Sequence, residues 1–175
     1  MAAFIALLRA VNVGGRGRLA ATELKAACEA AGFSGVKTYI QSGNAVFATQ
    51  LQEDAARFGL QQALLALTGQ DFEVFLCSRA AFDQMLAASP LGDGDPARSI
   101  IYLFQTPPDP AILDTMMAPD GETVSIIGHA VHVHYPTGSG RSKLKLKGLE
   151  RGTGRNLNTL RKLSVMAAEC EGDET

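Results

Sequence analysis

The sequence has 175 residues, 46% of them hydrophobic and 19% charged, a globular composition that excludes a disordered scaffold. The length suffices for one body or for two modules of roughly 80 residues each, and no apolar run approaches the roughly 20 residues that a membrane-spanning helix needs. The formal net charge of −2 conceals a division: residues 79–136 are net −5, residues 137–163 net +7 and residues 164–175 net −4.

Ala3–Leu8 is a continuous apolar run bounded by a Gly/Arg loop and reads as a buried strand. Arg9 interrupts it and no small-residue cleavage site follows, so a signal peptide is not expected. Leu24, Ala27, Cys28 and Ala31 fall at helical spacing, with Gly32 as the stop. Val36–Gln41 and Asn44–Ala48 flank Ser42-Gly43 and predict a hairpin with a two-residue turn. Ala56, Leu60, Ala63, Leu64 and Leu67 form a second helical stripe, and Asp71–Cys77 reads as the next strand. The order β-α-β-β-α-β over residues 1–78 is that of a ferredoxin-like α/β plait.

Residues 79–175 begin the pattern again. Ser78 can cap a short helix ended by Pro90, and Leu91–Arg98 reads as a loop between modules. Ser99–Phe104 is the predicted strand and Pro108–Met117 a helix with proline in its first turn. Glu122–Ile127 and Ala130–Tyr135 then flank a Gly128-His129 turn, which sets Ile126 opposite Val131 and Val124 opposite Val133 on one apolar side. His132 and His134 fall on the other side, expected to be solvated rather than a metal site, since no third ligand lies at a telling spacing. A Gly-rich basic segment and a last helix near Asn158–Ala168 follow, with no obvious final strand. The fold class is therefore α+β, two ferredoxin-like subdomains of which the second is incomplete or rearranged.

Four segments carry polar groups suited to a ligand. In Arg9-Ala10-Val11-Asn12-Val13-Gly14-Gly15-Arg16, glycines allow close backbone approach and arginine supplies a fork for phosphate or carboxylate, although the same residues suit a solvated turn. In Tyr39-Ile40-Gln41-Ser42-Gly43-Asn44, a two-residue turn would make Gln41 and Asn44 cross-strand partners beside Tyr39, able to read a base, sugar or amide, although a hairpin tip is equally polar without any function. Tyr135 to Lys143 has the glycines, hydroxyls and lysine of a phosphate cradle without Walker spacing, and a helix starting near Ser142 would add free N–H groups. In Thr153-Gly154-Arg155-Asn156-Leu157-Asn158-Thr159, Asn158 or Thr159 can cap the last helix, which leaves Arg155 and Asn156 unexplained. The three separated cysteines, Cys28, Cys77 and Cys170, argue against a disulfide framework and fit a reducing cytoplasm. No catalytic residue, cofactor or acid/base pair can be nominated from spacing.

Taken together, Arg9 with Asn12-Val13-Gly14-Gly15, Tyr39 to Asn44, Gly140 to Leu144, and Arg155-Asn156 with Asn158-Thr159 resemble the bacterial family called domain of unknown function 1697. The resemblance covers nearly the whole chain in the same order and implies two α/β-plait subdomains, with no implied activity. The family usually has glycine at Ala10, threonine at Gly154 and tryptophan at Leu157, so an aromatic stacking surface is missing at the last position.

The leading expectation is a cytoplasmic protein binding an anionic ligand, a phosphorylated small molecule or nucleotide, in a cleft between subdomains. Its candidate ligand groups are Arg9, Asn12, Gly14, Gly15, Tyr39, Gln41, Ser42, Asn44, Tyr135, Ser142, Lys143, Arg155, Asn156 and Asn158. An enzyme built from these residues would stabilise transition-state charge with Arg and Lys. Nucleic-acid binding is the alternative, disfavoured by 6% aromatics and a negative net charge. A protein–protein module, whose polar motifs fix packing only, is the third.

Overall fold

The computed structural model describes residues 1–172, which leaves Asp173 and Glu174 of the acidic tail outside the described residues. Ala3 to Leu8 of strand β1 (Ala2–Leu8) are all buried, as a continuous apolar run requires when both faces of a strand are covered. β1 lies antiparallel between β3 (Asn44–Thr49) and β4 (Val74–Ser78), and β2 (Ser34–Thr38) completes a sheet in the order β2-β3-β1-β4. Helices α1 (Ala21–Ala30) and α2 (Glu53–Thr68) bury the predicted stripes, Leu24, Ala27 and Cys28 from one and Ala56, Leu60 and Leu64 from the other. The two helices touch each other, and their core contains Phe33 stacked on Phe47 with ring centroids 4.1 Å apart.

One turn differs from expectation. Residues 39–43 connect β2 to β3, because the strand ends at Thr38 and the Tyr39 N–H donates to the Asn44 carbonyl. Asn44 therefore faces Tyr39, not Gln41. The longer connection is held by left-handed backbone at Ile40 (φ 52°) and Gly43 (φ 76°). Glycine is required at the latter, since a Cβ there would lie 2.8 Å from Val11 Cγ2.

The second sheet contains β5 (Ser99–Leu103), β6 (Thr123–Ile127), β7 (Ala130–His134) and β8 (Thr153–Asn156) in the order β6-β7-β5-β8. That order repeats the first sheet strand for strand, and the α+β architecture is consistent with two ferredoxin-like subdomains. The predicted hairpin register is observed, with Ile126 opposite Val131 and Val124 opposite Val133.

Several expectations are corrected in this part of the chain. β8 exists, although Thr153-Gly154-Arg155-Asn156 has no apolar alternation. The helix expected over Pro108–Met117 is a 3-10 segment, Pro110–Thr115, capped by Asp109. No helix starts near Ser142; a single 3-10 turn, Ser139–Arg141, gives way to extended backbone there. His132 lies opposite the Val131/Val133 face as alternation demands, but it is buried at 1% exposure rather than solvated. β7 is an interior strand covered on both faces at this point, and Ser89 Oγ sits 2.9 Å from His132 Nδ1.

Helix α3 (Arg79–Ala87) follows β4, where the Ala81 N–H donates to Ser78 Oγ. Helix α4 (Leu157–Gly172) is capped by Asn156, whose Oδ1 accepts the Thr159 N–H, so neither Asn158 nor Thr159 is the cap. Contacts divide the chain into one unit of Met1–Asp83 with the chain from Lys162 on, and a second of Gln84–Arg161. Among the described residues no helix is long and apolar enough to cross a membrane.

Candidate functional site

In the first unit the Gly/Arg segment is a small finger closed by backbone pairing. Gly14 (φ 57°) and Gly15 (φ 76°) form its two-residue turn, Val13 pairs with Arg16, and the Asn12 N–H donates to the Gly17 carbonyl. This is the primed turn geometry that two left-handed glycines permit. Asn12 anchors the base: its Nδ2 donates to the carbonyls of Leu19 (3.0 Å) and Gln41 (2.9 Å), and its Oδ1 accepts the Leu19 N–H (3.1 Å). The first two predicted segments thus meet, but through an amide whose capacity is largely used in joining them.

The same holds for their neighbours. Asn44 is fully buried, and its Nδ2 donates to the Tyr39 carbonyl and to Ser42 Oγ. Arg9 Nε lies 2.8 Å from Glu73 Oε2. Gln41, Arg16 and Arg18 are exposed, and Tyr39 is half-buried.

In the second unit the basic segment forms a strap across one sheet face. The Lys145 N–H donates to the Met117 carbonyl (2.8 Å) and the Met117 N–H to the Lys145 carbonyl (3.0 Å). At the other end the Ser142 hydroxyl donates to Glu122 Oε1, and the Lys143 N–H donates to Asp120 Oδ2 (3.3 Å). The Ser142 hydroxyl, together with backbone donors at Glu122 and Asp120, holds the Glu122 carboxyl below its ordinary range despite burial. The acidic middle of the chain does meet the basic stretch, but it binds a hydroxyl and the backbone, not the lysine side chains.

Alternation then sorts the strap. Leu144 and Leu146 turn into the core of Val131, Val133 and Tyr135, while Lys143, Lys145 and Lys147 are exposed. Among the described residues, none of these three ammonium groups has a carboxylate partner. Beside them opens a concavity of about 580 Å³ whose lining includes Tyr102, Met117, Leu146, Leu149, Lys145 and Lys147.

Of the remaining predicted residues in this unit, Tyr135 is buried, with its hydroxyl 2.7 Å from that of Tyr102. Ser142 and Asn156 serve the strap and the α4 cap, and Asn158 is exposed. Arg155 is half-buried and donates from Nη1 to the Gly154 carbonyl; burial pushes its pKa down to about 10, which leaves it cationic at neutral pH. Sequence reasoning singled out Lys143 but passed over Lys145, Lys147, Tyr102 and Met117. The period-two alternation Lys-Leu-Lys-Leu-Lys was the available signal.

Burial, with the carboxylate of Glu29 nearby, pushes the Cys28 thiol up to about 12, far from a reactive thiolate. Among the described residues no three His, Cys, Asp or Glu side chains gather as a metal ion would need.

The family model described as "Protein of unknown function (DUF1697)" matches residues 1–132. No curated protein matches the sequence. The fold is similar to that of the conserved bacterial protein SP0830 from Streptococcus pneumoniae, with a TM-score of 0.77 and 22% identity over 95% of this chain and 98% of that one.

Proposed function

The chain belongs to the DUF1697 family of proteins of unknown function, and we propose that it binds a phosphate-bearing anion on the strap of the second unit. The observation that carries this reading is the set of three exposed ammonium groups, Lys143, Lys145 and Lys147, without carboxylate partners among the described residues. An extended chain spaces alternate residues about 6.6 Å apart, so neighbouring lysines can contact two phosphate groups of one ligand. Their mutual repulsion is relieved only when an anion arrives, which favours the bound state. Asp120 and Glu122 are engaged in anchoring the strap, while Glu150 stands beside Lys145 and Lys147 without forming an ion pair with either.

Calorimetric titration with pyrophosphate tests the reading. The protein should bind, and Lys145→Ala should weaken binding by about 1.5–3 kcal/mol for each charge-assisted hydrogen bond lost. Its folding stability should stay within about 0.5 kcal/mol, because an exposed unpaired lysine contributes little to the fold. An unchanged affinity in the triple Lys143→Ala, Lys145→Ala, Lys147→Ala variant would eliminate the strap as the anion site.

A further inference from the structure

Resting on that reading, we infer that the anion carries an apolar or planar body, as a nucleoside diphosphate does, and that this body occupies the concavity beside the strap. The two sheets share one strand order, yet their covering layers differ. Over the first sheet, α1 and α2 fill the layer with buried side chains and touch each other. In the second unit, the connection after β5 is the short 3-10 segment Pro110–Thr115, and the connection after β7 is the strap. Neither fills the volume of a helix, whose side chains span roughly 10–12 Å. The concavity of about 580 Å³ is what remains, and it falls within the range of small-molecule sites.

Its lining has two characters. Met117 (58% exposed), Tyr102, Leu146 and Leu149 offer apolar surface, while Lys145 and Lys147, against the single carboxylate of Glu150, bring net positive charge to the same space. A site for free phosphate has no use for the first, and a site for a neutral apolar compound has no use for the second. A ligand with both parts satisfies each. Met117 is well placed for this task because a flexible, polarisable thioether adapts to a flat partner. Its backbone is meanwhile joined to that of Lys145 by two hydrogen bonds, so the apolar and the charged side chain start from adjoining points.

The Tyr102 ring is held as well. Its hydroxyl bonds that of Tyr135, and it lies against Gly154 of β8, where a Cβ would come within 2.8 Å of Cε1. The lining on that side is therefore fixed by the chain's own packing and does not need to be ordered by the ligand.

The experiment is a set of titrations of the full chain with ADP, pyrophosphate and adenosine, followed through the Met117 methyl resonance and by calorimetry. ADP should bind roughly tenfold or more tightly than pyrophosphate, as burial of the base adds apolar contact. ADP should shift the Met117 methyl signal, whereas pyrophosphate should shift it little. Met117→Ala should lower ADP affinity about three- to tenfold and leave pyrophosphate affinity unchanged. Met117 is exposed, and matching circular dichroism spectra would verify that the variant folds. Equal affinities for ADP and pyrophosphate would overturn the pocket inference and leave the anion reading standing. Failure of both to bind would overturn both, and adenosine binding as tightly as ADP would overturn the inference that one ligand spans pocket and strap, leaving the anion reading to the pyrophosphate result.

Discussion

Asn12 illustrates how a polar residue in a loop can be committed before any ligand arrives. Its backbone is left-handed at φ 54°, and its amide joins Leu19 and Gln41 through three hydrogen bonds. Asn12→Ala should cost about 1–3 kcal/mol in chemical denaturation, because two acceptors and one donor lose their partner and alanine tolerates this φ less well. No loss in the denaturation midpoint would mean that water replaces all three bonds without penalty. Asn44 and Ser142 are spent in a similar way. Sequence alone offered these residues as ligand groups or as ordinary turn residues, and it could not separate a group that binds a ligand from one that binds the chain. That distinction lies in pairs such as Asn12 with Gln41, which are 29 residues apart.

His132 carries a prediction of the same scale. Burial lowers its pKa from the ordinary 6.5. The unfolded chain therefore takes up a proton near pH 6.5, while the folded chain does so only at lower pH. Stability should fall as pH drops below about 6.5 and level off once the folded histidine also charges. Denaturation midpoints between pH 7.5 and 5 should show a shallower acid slope in His132→Gln than in the native protein. Identical slopes would assign the acid sensitivity to other groups.

At the scale of elements, the strands with strong patterns were legible and the others were not. The β6/β7 hairpin follows from alternation and Gly128-His129, and its register is as read. β8 escaped because Thr153-Gly154-Arg155-Asn156 is polar and carries a strand-weakening glycine in its interior. Cross-strand packing explains that glycine. Tyr102 lies opposite Gly154 in the sheet, and its ring covers the position where a side chain would stand. Threonine, usual there in the family that the sequence resembles, would displace the ring.

Gly154→Ala should therefore cost about 1–3 kcal/mol through overpacking and disturb the Tyr102–Tyr135 hydroxyl pair. The chain has three tyrosines and no tryptophan, so near-ultraviolet circular dichroism reads this environment with little interference. An unaltered tyrosine spectrum, with unaltered stability, would show that the ring is not confined by Gly154.

Over the whole molecule, the chain leaves the first unit after Asp83 and returns to it at Lys162. Nothing local in the sequence of the last helix announces that return; only distant pairs do. Lys37 Nζ lies 3.2 Å from Glu169 Oε2, Arg79 pairs with Glu171, the Ser164 hydroxyl donates to Asp83, and the Cys170 thiol donates to the Gly35 carbonyl. The ion pairs are partly exposed and contribute about 0–1 kcal/mol each. Leu163 is completely buried and Met166 is 8% exposed, and burial of such side chains is worth about 1.5–3 kcal/mol apiece. Apolar burial therefore outweighs the charges. Removing the ion pairs with Glu169→Ala and Glu171→Ala should lower stability by no more than about 2 kcal/mol. Ending the chain after Arg161 should cost several times more, and hydrogen exchange should show lost protection in β2 and at the start of α3, where the distant partners lie. If the truncated chain kept native protection in both segments, the first unit would be complete without its returning helix, and the four contacts would count as surface decoration.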